Sequence, residues 1–328
     1  MATLTPGYSL VEQLKQIAPN GSQMKVVEAL AIETGMILEE APWMPSNDIW
    51  THKSLLEASR PTGAWRKMNT GVPTEVRRTT ERMDVIGMLE TYSECDKAFA
   101  DKQPSPEVYR MGVAKSFLSG LGKTLTDKII YGNANADPDQ MHGIKPRLDT
   151  IDGDFVIDGG GTGSDLTSIY VVTWDPEAVH LIYSKNTPGM GVIHTNLGEV
   201  TITDATTAAP NTSQYQGYRD HFKVECGLVV ANDKYIGRVA NIETAGTTNT
   251  FDEDDLITLL GNMTITALTR IYMNQTIMTQ GRIKLKDKLN VNWSPEAGLG
   301  GQALLRFDGI PVRKIDKQIL LNTESAVT

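Results

Sequence analysis

The chain has 328 residues, 40% of them hydrophobic, with 31 Lys and Arg against 40 Asp and Glu, giving a net charge of −9. That length buries a large core without disulfide or metal staples, in one large domain or two ordinary ones. The acidic balance excludes a chain whose main task is gripping nucleic acid, because phosphate binding needs a net basic face. It fits a protein that encloses nucleic acid without sticking to it. The two cysteines, Cys95 and Cys226, form no CxxC pair, so they read as reduced thiols of a chain made in a cytoplasm. Met1 to Gly7 lacks a basic start followed by an apolar run, and no stretch reaches the ~18 apolar residues of a membrane span. Neither a signal peptide nor a membrane partner is expected.

The first fifty residues read as an arm. Ser9 to Ile17 and Lys25 to Met36 carry helical spacing, with Pro19-Asn20-Gly21 between them. Ala41-Pro42-Trp43-Met44-Pro45 then breaks the pattern, since each proline removes an amide donor. Glu57 to Arg82 reads as a long hairpin turning at Asn69-Thr70-Gly71, with extended segments on either side. Its bases Arg60, Arg66, Lys67, Arg77, Arg78 and Arg82 oppose only Glu57, Glu75 and Glu81. The segment is therefore +3 and the rest of the chain −12. A polar hairpin with almost no core of its own is not stable alone, so it must lean on an acidic surface of this chain or of a neighbour.

The clearest element is a helix from Pro106 to Tyr131. Ser105 serves as N-cap, Pro106 suits the first helical position, and Gly132 ends it. Val108, Met111, Ala114, Phe117, Leu118, Leu121, Leu125 and Ile129 make one apolar stripe. At 1.5 Å per residue such a helix is roughly 40 Å long, the length of a strut. Mixed α/β sequence follows. Gly159-Gly160-Gly161 and Gly163 read as a flexible loop or hairpin tip. Strands are expected over Ser168–Trp174, His180–Tyr183, Phe222–Ala231 and Tyr235–Ile242. Thr250 to Glu253 reads as a capping box opening a helix through Leu260, and a second helix is expected from about Thr276 to Leu289. Ala303–Phe307 and Ile310–Ile315 close the chain as strands joined by Asp308-Gly309, a hairpin dipeptide.

No fragment meets the spacing that catalysis or cofactor binding requires. Gly120-Leu121-Gly122-Lys123-Thr124 resembles the end of a phosphate-binding loop, but Phe117 stands where that loop needs a glycine, and the run lies inside the helical stripe. Asp149, Asp152, Asp154 and Asp158 do not follow calcium-loop spacing. His52, His142, His180, His194 and His221 form no HExxH or i, i+4 pair, and no Gly-x-Ser-x-Gly elbow occurs. No cofactor, metal or catalytic residue is expected.

Several ordered runs carry a resemblance that extends over nearly the whole chain. They are Val27-Glu28-Ala29-Leu30 with Ile37 to Trp43, and Pro61-Thr62-Gly63-Ala64-Trp65-Arg66-Lys67-Met68-Asn69-Thr70-Gly71-Val72. With them go Asp96 to Ala100, Ile130-Tyr131-Gly132-Asn133, His142-Gly143-Ile144, Gly227 to Val230, Arg238 to Ile242, and Phe307 to Arg313. In these the sequence resembles the major capsid proteins of tailed bacteriophages with the Hong Kong 97-type (HK97-like) fold, of the short-tailed epsilon15 and Bordetella phage kind. Cys95 stands where an apolar residue such as Val is expected. The resemblance implies an α+β fold. Its parts would be an N-terminal arm over 1–51, an extended loop over 52–82, and a peripheral domain over 83–150 with a spine helix at 105–132. Mixed peripheral strands and an axial domain would cover 151–302, and C-terminal strands 303–328. It implies a structural subunit that assembles with copies of itself into hexamers and pentamers of an icosahedral head around double-stranded DNA. Portal, scaffolding or decoration proteins would be further partners, and the packaged DNA would be enclosed without specific binding. Arg60, Trp65, Arg66, Lys67, Arg77, Arg78 and Arg82 would make the intersubunit contact of the extended loop. A shell of encapsulin type, or a tail or decoration protein, is the alternative.

Overall fold

The structure, a computed structural model, describes residues 35–59, 61–187, 191–203, 214–284, 293–297 and 303–328. The helix expected over Ser9–Ile17 and nearly all of that over Lys25–Met36 lie outside these residues. Among those described, Leu89–Thr124 with Gly191–Val224 form one compact unit, and Glu33–Met88, Leu125–Met190 and Glu225–Thr328 the other.

In the first unit the chain enters through β4 (Gly87–Asp96), turns through the short α2 (Lys97–Ala100), and starts the long α3 (Pro106–Tyr131). The helix spans the residues its sequence predicts. Its apolar stripe is not continuous in burial: Ala114 and Leu121 are buried, but Val108 and Met111 are 61% and 65% exposed. Periodicity fixes which residues share a face, whereas cover depends on what packs there. β8 (Val192–Thr203) pairs antiparallel with the first part of β9 (Gln214–Val230) from Thr203↔Gln214 to Val192↔Val224. β8 was not legible in the sequence, because it is largely exposed on both faces and carries little alternation. Ion pairs stitch this ribbon: Arg110 to Asp220 at 2.9 Å, Lys97 to Glu199 at 2.6 Å, and Arg219 to Glu94 at 2.5 Å.

The second unit is built on a seven-stranded mixed sheet. Its strands are β5 (Val156–Asp158), β6 (Leu166–Thr173), β10 (Ile236–Glu243), β11 (Thr269–Asn274), β12 (Trp293–Ala297), β13 (Ala303–Phe307) and β14 (Ile310–Ile315), in the order β12-β13-β14-β11-β6-β10-β5. Central β6 is buried along its whole length, as a strand covered on both faces must be. Ile169 and Val171 on one face join a core with Leu256, Leu259 and Leu260 of α4 (Glu253–Asn262) and Ile277 and Met278 of α5 (Gln275–Lys284). Trp293 sits edge-on to Phe307 with centroids 5.0 Å apart. Gly281 is required there, because a Cβ at that position would lie 2.8 Å from the indole. The Asp308-Gly309 turn joins β13 to β14 with both residues at positive φ, 47° and 75°, as a two-residue hairpin demands.

Two local readings are corrected. The cap of α4 is Asp252, whose side chain accepts from the Asp254 amide, not Thr250. The glycine run is not a free tip: the Gly159 and Gly161 amides donate to the carbonyls of Ala240 and Asn241 at 2.8 and 2.9 Å. A Cβ at Gly161 would meet the Asn241 oxygen at 2.5 Å, so these glycines permit close approach to β10 rather than mobility.

The opposite face of β6 holds a buried polar network. Arg238 and Glu324, whose side chains are each 1% exposed, pair at 2.6 Å. The Arg238 guanidinium also donates to Ser168 Oγ and the Leu148 carbonyl. Glu324 accepts from Ser168 Oγ at 2.6 Å and from Tyr131 Oη at 2.5 Å. Burial and the Glu324 carboxylate hold both Tyr131 and Tyr170 neutral by raising their phenol pKa values. The C-terminal segment is thereby fixed, with Val327 exchanging hydrogen bonds with Asn241.

Candidate intersubunit surface

The basic segment forms the hairpin its turn residues predict. β2 (Thr51–Ser59) pairs antiparallel with β3 (Arg78–Val85), from Thr51↔Val85 to Ser59↔Arg78. Strand pairing stops there, short of the extended segments expected right up to the turn. Beyond it Glu75 gathers the amides of Thr62 and Gly63 at 2.6 and 3.2 Å, drawing the two limbs together. The chain reverses at Asn69, φ 61°, where the Thr70 amide and hydroxyl both bond the Lys67 carbonyl.

Root and tip differ in every physical respect. At the root, Arg147 donates to Asp84 of β3 at 2.6 Å and to the carbonyls of Gly143, His142 and Leu228. Both partners of this ion pair are buried. Arg82 donates to the Val230 carbonyl and to both oxygens of Asp233. Ile86 packs with Ile182 of β7 (Val179–Tyr183) and Val229. β7 in turn pairs with β1 (Trp43–Pro45) and the last part of β9. At the tip, every residue from Pro61 to Thr80 is exposed. Trp65 is 105% and Met68 93% exposed, with Val72 and Val76 at 51% and 74%.

Of the residues expected at an intersubunit contact, Trp65, Arg66, Lys67, Arg77 and Arg78 therefore share one exposed segment. Arg60 lies outside the described residues. Arg82 is brought instead to the root, where it bonds within its own chain. The sequence reading missed Asp84, Arg147 and Asp233, the anchors of the root, since nothing in their spacing marks residues 63 or 151 positions apart as partners. It also missed Glu40, which closes the short α1 (Gly35–Glu40) by accepting from Arg270 and Arg313 at 3.1 and 2.6 Å and from Tyr272 Oη at 2.9 Å.

Two fragments that mimic chemistry make local hydrogen bonds within their own segments. Gly120 to Thr124 lies within α3, with Thr124 Oγ1 bonded back to the Gly120 carbonyl. Asp152 accepts three amides, from Asp154, Phe155 and Val156, and so shapes its own loop. Burial raises the pKa of both thiols, Cys95 and the fully buried Cys226, away from the reactive thiolate.

A family model described as major capsid protein GP7 matches residues 18–328. The chain belongs to that family. A comparison with curated protein sequences finds no match. Among solved structures, the chain is similar to a chain of the bacteriophage Epsilon15 structure, with 26% identity and a TM-score of 0.72 over 100% of this chain and 99% of that one. It also shares the fold of the bacteriophage JBD30 capsid, at 13% identity and a TM-score of 0.50 over 97% and 100% of the two chains. This capsid protein is thus a mixed α and β chain of the HK97-like fold and a building block of a phage head shell, a component of the virion. Shell building implies association with copies of itself.

Proposed function

We propose that this capsid protein assembles into hexamers and pentamers of an icosahedral head enclosing double-stranded DNA, with the segment Pro61–Thr80 laid across a neighbouring copy. The observation that carries this is the complete exposure of Trp65 and Met68 on a hairpin whose root is firmly anchored. Burying one large apolar side chain is worth about 1.5–3 kcal/mol, and none of the described residues of this chain covers either one. The hairpin's charge of +3 against −12 elsewhere gives the docking its electrostatic direction. Trp65, Arg66, Lys67, Arg77 and Arg78 are the contact residues, joined by Arg60, and Arg82 acts by holding the root. The role is structural, with no catalytic step, and the acidic remainder encloses DNA without gripping it. Assembly takes place in the cytoplasm of the bacterial host, with portal, scaffolding or decoration proteins as further partners.

The double substitution Arg77→Glu, Arg78→Glu tests the reading. Electron microscopy and sedimentation should show few or no closed shells, while the dispersed chain melts as the unaltered one does. Closed shells at normal yield would refute the docking role of the segment.

A further inference from the structure

The root of the hairpin contains titratable side chains, His180 and Asp84 buried and His52 and His142 half-buried, that neither the fold nor the docking surface explains. His52 of β2 stands opposite Asp84 in the β2–β3 register and edge-on to His180 of β7, with ring centroids 5.5 Å apart. His142, from the loop after α3, faces the same Asp84 together with Arg147, Arg82 and Asp149. Nδ1 of His52, Nδ1 of His142, both ring nitrogens of His180 and Oδ2 of Asp84 are buried without a hydrogen-bond partner among the described residues. The Asp175 carbonyl near His180 favours its proton without reaching hydrogen-bond geometry. His180 itself is 4% exposed.

Neutral imidazoles tolerate this enclosure at modest cost, whereas imidazoliums do not. Protonated, the His142 ring would face the Arg147 and Arg82 guanidiniums, and the His52 and His180 rings would face each other. Asp84 has one oxygen committed to Arg147 at 2.6 Å, and Asp233 is engaged by Arg82. Asp149, near His142, and Asp175, near His180, are the remaining carboxylates. Of these carboxylates only Asp84 offers a buried oxygen without a hydrogen-bond partner, so three new cations would be poorly met there.

We infer that the root of the β2–β3 hairpin is a proton-sensitive hinge, in which protonation of the His52, His142 and His180 cluster around Asp84 loosens the hairpin from β7 and the end of β9. Burial lowers the pKa of all three histidines, that of His180 to about 4. Because the docked state favours the neutral rings, its stability is fully present above the ordinary histidine value near 6.5. It is lost as pH falls from there towards 4. His180 alone then shifts the opening equilibrium roughly thirtyfold at pH 5. The hinge belongs to the single chain. Only its consequence for a shell, a weakened grip of the tip on a neighbour, rests on the proposed function.

Amide hydrogen exchange on the dispersed full-length chain tests it. Peptides of β2 and β3 are followed at pH 7.5 and 5.0, corrected for intrinsic rates, with β6 and β10 as internal references. Protection of β2 and β3 should drop about thirtyfold or more at pH 5.0 while β6 and β10 hold. His180→Phe, which keeps a flat ring without titratable nitrogens, should remove most of that drop. Should His180→Phe fail to fold at pH 7.5, His52→Phe takes its place and should blunt the drop. Unchanged protection of β2 and β3 in the unaltered chain overturns the inference, and so does a drop of equal size in the folded variant. Because no shell is involved, a failure of the docking reading leaves this result untouched.

Discussion

The seven-stranded sheet and the β2–β3 hairpin belong to one compact unit and use arginine in opposite ways. Arg238 is buried in the sheet with its charge met by Glu324 and its remaining donors by Ser168 and the Leu148 carbonyl. Arg66 and Arg78 stand exposed on a segment that also exposes Trp65 and Met68. In the first case the charge specifies how one chain closes on itself. In the second, cationic and apolar groups together form an exposed surface, the one proposed above to meet a neighbouring copy. Arg82 and Arg147 mark the transition between them, tying the hairpin's root to its own chain so that the tip is presented rather than collapsed.

That contrast can be broken most forcefully in the sheet. Glu324→Ala leaves the Arg238 guanidinium buried without its counter-charge and should cost about 3–5 kcal/mol, read as a lowered urea midpoint. Replacing the pair together by Arg238→Met and Glu324→Leu should cost less than the single change. A single-variant loss below about 1 kcal/mol would show that the network does not lock the C-terminal segment. Asp252→Ala removes the cap of α4 and should cost about 1 kcal/mol, measured the same way. On the hairpin's exposed strands the Lys53–Glu81 pair, at 3.2 Å with both side chains 53% exposed, should contribute at most about 1 kcal/mol. Lys53→Ala should show even less difference in high salt. Smallest of all is Trp65→Ala, expected to move subunit stability by no more than about 0.5 kcal/mol while sharply reducing shell yield under the microscope. A large stability loss at Trp65 would mean that the side chain serves its own fold, and would undo the comparison.

Elements with a strong local signal are legible in the sequence. Pro106 and Gly132 bracket α3 at its observed ends, and Asp308-Gly309 turns where its backbone preference requires. The basic hairpin is visible because its charges outnumber its core residues. What escapes a sequence reading is decided at a distance. β8 is mostly exposed, with only Ile202 buried, and its alternation is confined to its last few residues. Val108 and Met111 lie on the predicted stripe yet stay uncovered, and the glycines at 159 and 161 are pinned by β10 rather than free. The anchoring residues Asp84, Arg147, Asp233 and Glu40 look like ordinary surface charges until the fold pairs them.

By itself the sequence determined the kinds of element, the charge division between hairpin and body, and the family likeness, because propensity, turn chemistry and composition act over a few residues. Only the tertiary structure decided which charges are buried, which apolar residues stay uncovered, and that three histidines surround one aspartate. Those outcomes depend on contacts between residues far apart in the chain, where desolvation and pairing are set by neighbours that no local pattern names.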